Sequence, residues 1–447
     1  MSPAVVDPAR QVALDVLSAV RTRDAYANLL LPSLLRTRNI TGRDANFATE
    51  LTYGTLRGQG TYDAVITACI ARPIGDLDLA VHDVLRLGAH QLFRMQVPDH
   101  AAVATSVELV KSAVGRGPSG FVNAVMRRMG ATPLEGWLAQ VAPPPATDRP
   151  AHLAVRYSHP EWIVRGFQEA LDDWSQTEEA LDADNQPPQV TLVARPGSAT
   201  VAELVAAGAA PGRWSSHAAI WPGGDPATIP AVRERRAGVQ DEGSQLVAAA
   251  VVTTPIDGTD IRWLDLCAGP GGKTALMGGL ATERDVQLTA VELKPQRAEL
   301  VRQVVGSKVD VVVVDARDHR WATGSYDRVL VDVPCSGLGA LRRRPEARWR
   351  RAPDDVEQLR PLQEQLLASA LAAVRPGGIV GYTTCSPLRS ETVAVVATAL
   401  AGHPNVQLVD ARPSLPAMPE LGPGPDVQFW PHRHGTDAMY LALLTRE

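Results

Sequence analysis

Apolar positions between Ala9 and Met129 recur with a helical period. Ala13, Val16, Leu17 and Val20 share one face, as do Tyr62, Val65, Ile66, Cys69 and Ile70. Further stripes run through Val81, Val84, Leu85 and Leu92, through Val103, Val107 and Val110, and from Phe121 to Met126. Gly and Pro punctuate the pattern, so several short amphipathic helices in an all-α bundle are expected. Residues 141–150 then hold four prolines. That is too many to continue a helix and stiff enough for a spacer, which sets an expected boundary.

Beyond the spacer, 161–181 reads as a helix and 189–194 as an alternating strand, together a small α+β subdomain. After Gln240 the pattern changes to apolar strands separated by helices, at 261–266, 287–292, 309–314, 328–332 and 379–384. Such alternation implies a parallel sheet with helical crossovers. The expected division is therefore a helical domain over 1–140, a linker with the small subdomain over 141–237, and an α/β domain over 238–447.

The 447 residues agree with about three domains at roughly 150 residues each. With 45% hydrophobic and 21% charged residues, the composition excludes a mainly disordered, collagen-like or coiled-coil chain. The net charge of -5 means that a nucleic-acid partner would be met by local patches. Residues 1–135 are the less acidic part, with fourteen Arg and Lys against twelve Asp and Glu. Only four of the 44 basic residues are lysines, so arginine abundance by itself says little about RNA.

The four cysteines, Cys69, Cys267, Cys335 and Cys385, are too few and too widely spaced for a zinc ribbon or a disulfide scaffold. A reducing cytoplasm is expected. The N-terminus lacks the apolar core of a signal peptide, and no run of about eighteen apolar residues suggests a membrane span.

Candidate chemistry begins at LDLCAGPGGKT (264–274), at the end of the first strand of the α/β domain. Glycines at a helix N-terminus let a ligand approach the backbone closely. A phosphate-binding GxxxxGK[ST] loop would need glycine at Cys267, and a GxGxxG dinucleotide loop would need it at Thr274, so both patterns fail. What remains is Asp265, the loop Cys267, Ala268, Gly269, Pro270, Gly271, Gly272 and Lys273, and an acid at the tip of strand two, Glu292. Glu292 is placed for ribose hydroxyls, and Asp315 after strand three for an adenine amino group.

Strand four delivers Asp332, Pro334 and Cys335 to the carboxyl edge of the sheet, and strand five delivers Cys385. Both thiols should face the crevice, whereas Cys69, within an amphipathic stripe, is expected to be buried and inert. Downstream, 341–351 holds six arginines against one glutamate, with Trp349 available to stack. Arg342, Arg343, Arg344, Arg348 and Trp349 are expected to form a local basic patch of the kind a nucleic-acid backbone would meet. The pair His432 and His434 lacks a third ligand, so no metal site is expected.

On LDLCAGPGGKT, LVDVPCSG (330–337) and YTTCS (382–386), the chain resembles the Nol/Nop/Sun class of RNA cytosine-5 methyltransferases. VQDEGSQL (239–246) looks like the opening of that family's catalytic domain, and RDANFATELTYGTLR (43–57) like a NusB-type RNA-binding fold. Their fusion is the layout of the Sun, or RsmB, subfamily. The resemblance implies an all-α NusB-like bundle, a small α+β subdomain and a Rossmann-like class I domain that uses S-adenosylmethionine. It implies a substrate in 16S ribosomal RNA, with transfer RNA as the alternative, and no membrane partner.

It further implies that Cys385 attacks carbon 6 of the cytosine and that Cys335 assists release; Asp332 is expected to hydrogen-bond the amino edge and protonate ring nitrogen 3 as negative charge develops. Gly269 stands where many relatives carry alanine, a difference expected to be without functional consequence. Two other readings are weighed: a non-catalytic NusB-like RNA-binding factor, which the intact Asp332, Cys335 and Cys385 oppose, and a DNA cytosine methyltransferase. In that DNA family a PCQ-type nucleophile follows strand four, whereas Ser336 follows Cys335 here.

Overall fold

The computed structural model describes residues 7–95, 97–318, 323–415 and 417–447. The chain forms two compact units, one of residues up to Pro187 together with Leu341–Arg350, the other of Pro188–Ala340 and Arg351–Glu447.

The first unit is helical. Its helices include Pro8–Arg23, Ala27–Thr37, Gly42–Cys69, Leu79–Phe93, Asp99–Ala113 and Ser119–Gly130. Asp7 and Asp78 start two of them by accepting backbone N–H groups of the first turn, each cap contributing about 1 kcal/mol. The apolar stripes meet in one core containing Val16, Leu17, Tyr62, Val65, Ile66, Val84, Leu85, Val110 and Met126. Cys69 lies in this core as expected, its thiol pushed up by burial.

Not every helix is short, for Gly42–Cys69 runs 28 residues through Gly54, Gly58 and Gly60. Close neighbours offset the low helix propensity of glycine, since a Cβ on Gly54 would lie 2.1 Å from the His90 ring.

The proline-rich stretch does not end this unit. Helices Arg149–Tyr157, Glu161–Leu171 and Trp174–Ala183 follow it and belong to the same body, the first packing on Gly42–Cys69. The single helix expected at 161–181 is two, because Asp172 adopts a left-handed φ of 52° and Asp173 caps a new helix by accepting from Ser175 and Gln176. The region 141–237 is therefore divided between the two units at Pro187/Pro188 rather than forming one subdomain.

The second unit opens with a four-stranded antiparallel sheet of β1 (Val190–Ala194), β2 (Ala210–Pro211), β3 (Ala218–Trp221) and β4 (Ala237–Val239), in the order β2-β3-β1-β4. A larger sheet follows, built from β5 (Arg262–Asp265), β6 (Gln287–Glu292), β7 (Asp310–Val313), β8 (Tyr326–Asp332), β9 (Val374–Thr384), β10 (Val406–Val409), β11 (Val427–Gln428) and β12 (Tyr440–Arg446). Its order is β10-β12-β9-β8-β5-β6-β7, with β11 pairing β12.

Strands β5 to β9 are parallel, and they are the five expected from the sequence. The sheet is not purely parallel, because β12 inserts antiparallel beside β9 and carries β10 and β11. Helix Pro353–Ala373 continues through Pro361. From β5 the chain winds outward to β6 and β7, then returns to the other side of β5 for β8 and β9. That reversal opens a crevice at the carboxyl ends of β5 and β8, where ligands bind in such sheets.

Candidate active site

Strand β5 ends at Asp265, which is buried and accepts from the Thr274 hydroxyl at 2.7 Å. Burial raises its pKa to about 6, with the Asp332 carboxylate adding to the shift. The loop 267–271 turns into helix Gly272–Glu283 through Gly271, whose φ of 108° suits glycine and aims the first N–H groups of the helix at the crevice. Cys267 lines this loop half-buried, and burial followed by the neighbouring carboxylates pushes its thiol well up, which keeps it protonated.

Glu292, at the tip of β6, folds its carboxylate onto the loop. Oε2 accepts from Gly269 N–H at 3.1 Å and Oε1 from Lys294 N–H at 2.9 Å, with Arg297 3.6 Å away. A Cβ on residue 269 would lie 2.1 Å from Glu292 Oε2. The Glu292 carboxylate thus occupies the place that an alanine methyl would take. Asp315, just past β7, is half-exposed and pairs with Arg317, which holds its carboxyl below the usual range.

The residues fit S-adenosylmethionine. Each Glu292 oxygen accepts one of the named backbone donors and keeps a lone pair for a ribose hydroxyl. Gln240, in the segment 239–246 that opens the α/β domain, has a buried carboxamide oxygen with no hydrogen-bond partner among the described residues, and its side chain sits beside Gly272. A polar ligand at the loop would satisfy it. The sequence placed Gln240 in the motif VQDEGSQL but gave it no role, since a glutamine within a motif does not show what it faces.

Asp332 ends β8 and Thr384 ends β9, so the neighbouring strands deliver Cys335 and Cys385 to one place. Their sulfurs are 3.5 Å apart, and both thiols are half-buried. The hydrogen bond from Cys335 lowers the pKa of Cys385, aided by Lys273 against the effect of burial. The same contact, with burial, pushes Cys335 well up. Lys273 Nζ donates to Asp332 Oδ2 at 2.7 Å and Thr383 Oγ1 to Asp332 Oδ1 at 2.9 Å. Lys273, expected among the cofactor-loop residues, thus reaches across the switch point with its amine. Thr383 was not singled out by the sequence.

Of the arginine cluster, Arg342 and Arg348 are buried in the helical unit instead of facing a ligand, whereas Arg343 is half-buried and Arg344 exposed. Arg348 has no exposed surface, and its guanidinium donates to the carbonyls of Arg57, Ser158 and Asp184 and to Asn185 Oδ1, all in the helical unit. Burial lowers its pKa to about 10. Arg342 is also buried, and its carbonyl accepts from Arg57 at 3.0 Å. Trp349 packs against Gly60 on that unit and remains partly exposed. Charge counting could not separate these from Arg344, which is exposed and lies over the Tyr26 ring. The His434 ring is used locally, taking the Trp430 N–H on Nδ1 at 2.9 Å and placing Nε2 2.9 Å from the Pro419 carbonyl.

A sheet with a glycine loop, strand-end acids and a thiol pair at its switch point defines a Rossmann-like methyltransferase. The 16S rRNA methyltransferase RsmB/F family matches residues 251–445, and the NusB family matches residues 7–131. A putative methyltransferase of Mycobacterium tuberculosis is 51% identical over 99% of this chain and 97% of its own. The ribosomal RNA small subunit methyltransferase B of Vibrio cholerae is 30% identical over 92% and 91%. The crystal structure of PH0851 is similar in fold, with a TM-score of 0.79, 22% identity and 99% of each chain covered.

The chain belongs to the RsmB/F family of 16S rRNA methyltransferases. Its N-terminal helices form a NusB domain, and its cofactor is S-adenosylmethionine. No helix among the described residues is long and apolar enough to cross a membrane.

Proposed function

We propose that the enzyme methylates carbon 5 of a cytosine in 16S ribosomal RNA through a covalent bond between Cys385 and carbon 6. The observation that carries this reading is the contact of the two sulfurs at 3.5 Å, beside the Lys273–Asp332 pair. Relatives named as small-subunit ribosomal RNA methyltransferases over more than nine-tenths of the chain support the choice of RNA.

Carbon 5 of cytosine is a poor nucleophile until a thiolate adds at carbon 6 and converts the ring to an enamine. Cys385 suits that step because Cys335 and Lys273 both favour its thiolate. Asp332, oriented by Lys273 and Thr383, accepts from the cytosine amino edge, and the ammonium beside it opposes the negative charge that develops toward nitrogen 3. S-adenosylmethionine supplies an already activated methyl group. Cys335 stands next to the adduct to assist the elimination, in which the proton on carbon 5 passes to a solvent base and the electron pair of the carbon 6–sulfur bond returns to Cys385 as its thiolate. The target base must leave its stack to reach the crevice.

The test is methyl transfer from labelled cofactor to small-subunit ribosomal RNA, followed by digestion to nucleosides. Label in 5-methylcytidine is expected. Transfer to DNA or to transfer RNA in its place would overturn the substrate, and no transfer to any nucleic acid would favour a binding factor.

A further inference from the structure

Behind the thiols lies a carboxylate outside every motif read from the sequence. Glu391 closes the short turn Arg389–Glu391 and is fully buried. Its Oε1 accepts from Ser336 N–H at 2.8 Å and from Gln363 Nε2 at 3.1 Å. Its Oε2 accepts from Ser336 Oγ and Ser386 Oγ, each at 2.5 Å. Ser336 and Ser386 directly follow Cys335 and Cys385, so one carboxylate ties together the two loops that present the sulfurs.

The mount is itself fixed. Tyr382 donates its hydroxyl to the Glu391 carbonyl at 2.7 Å, and Gln363 also donates to the Pro334 carbonyl at 2.9 Å. The loop is held from the other side as well, with Gly339 N–H on the Cys385 carbonyl at 2.9 Å.

Burying a carboxylate is costly, and all four of these donors are neutral. An apolar side chain could fill such a site at lower cost but could not bind both serines. The negative charge also acts on one thiol in particular: it is among the groups that keep Cys335 protonated, while Lys273 favours the anion of Cys385.

We propose that Glu391 is the positioning residue of the thiol pair, clamping the Cys335 loop to the Cys385 turn so that Cys335 donates its proton toward Cys385 and leaves Cys385 to attack. The clamp acts on the free enzyme, and only its consequence for turnover rests on the cytosine-methylation reading.

The test is alkylation of the full-length protein by iodoacetamide from about pH 6 to about pH 10, with the modified cysteine located by mass spectrometry. Wild type should react at Cys385 before Cys335. Glu391→Gln keeps the shape and removes the charge, and should narrow that preference about tenfold. Glu391→Ala should erase it and lower kcat on RNA about a hundredfold, with KM for the cofactor unchanged.

Thermal melting identifies variants that fold. An unchanged preference in folded Glu391→Gln overturns the proposal, whether or not the alanine variant folds. A wild type that orders its thiols as expected but methylates nothing would overturn the functional reading and leave the clamp standing.

Discussion

Lys273 Nζ donates to Asp332 Oδ2 at 2.7 Å although 59 residues separate them in the chain. Lys273 is in the first turn of the helix after β5 and Asp332 ends β8, so the pair bridges the two strands that flank the switch point. Burial pulls the ammonium toward neutrality, but the attraction and hydrogen bond of Asp332 outweigh it and raise its pKa. The result is a fixed cation that lowers Cys385 and orients the acid expected on the cytosine edge.

The two thiols should part company when mutated. Cys385→Ala should give neither methylated RNA nor covalent adduct, because no bond to carbon 6 can form. Cys335→Ala should methylate and then accumulate enzyme bound to RNA. Since Cys385 lies below its ordinary pKa, adduct formation should rise with pH and level off before the usual thiol range, and Lys273→Met should move that rise to higher pH. Denaturing gels over a pH series read all three, and adduct from Cys385→Ala but none from Cys335→Ala would exchange the roles.

Gly271→Val should abolish binding of S-adenosylmethionine. A side chain is strained at φ 108°, and its Cβ would lie 3.1 Å from the Val301 Cα, so the turn that aims the helix N-terminus must shift. Titration calorimetry checks this, and wild-type affinity in the variant would remove the loop from the cofactor site.

Arg348→Ala should unfold the helical unit more readily, by about 3 kcal/mol, because the buried carbonyls of Arg57, Ser158 and Asp184 and Asn185 Oδ1 lose their donor. Arg344→Ala should leave stability nearly unchanged and reduce the slope of log RNA affinity against log salt by about one contact. Denaturant melts and salt titrations on both variants check the pair, and equal melts would return Arg348 to the solvated surface.

Asp265 should make the catalytic unit less stable as pH rises. Its folded pKa of about 6 lies above the ordinary 3.8, so the native state holds a proton that the unfolded chain releases in between. That contribution is present below the ordinary value and is lost as pH climbs through the folded one, for ~3 kcal/mol in all. Asp265→Asn carries no titrating proton, so the wild-type melting curve should fall relative to the variant's between about pH 4 and about pH 7. A constant difference across that range would count against a raised pKa.

Much of this protein is legible in one dimension because its signals are local. A helical stripe such as Tyr62, Val65, Ile66 and Cys69 needs only its own period to announce a buried face, and the runs that became β5 to β9 need only their length and apolar content. The thiols and strand-end acids were readable for the same reason, since each stands at a fixed offset from a strand end. The antiparallel β12 was not, because nothing in YLALLTR says which strand it will join. Side-chain partnership over long separations was equally hidden. Six arginines in one short segment look alike as charges, and only packing against Arg57, Ser158 and Asn185 separates the buried Arg348 from the exposed Arg344. Glu391 is an ordinary glutamate in sequence, and it becomes the partner of Ser336 and Ser386 because two adjacent strand ends bring residues some fifty positions apart to one buried carboxylate.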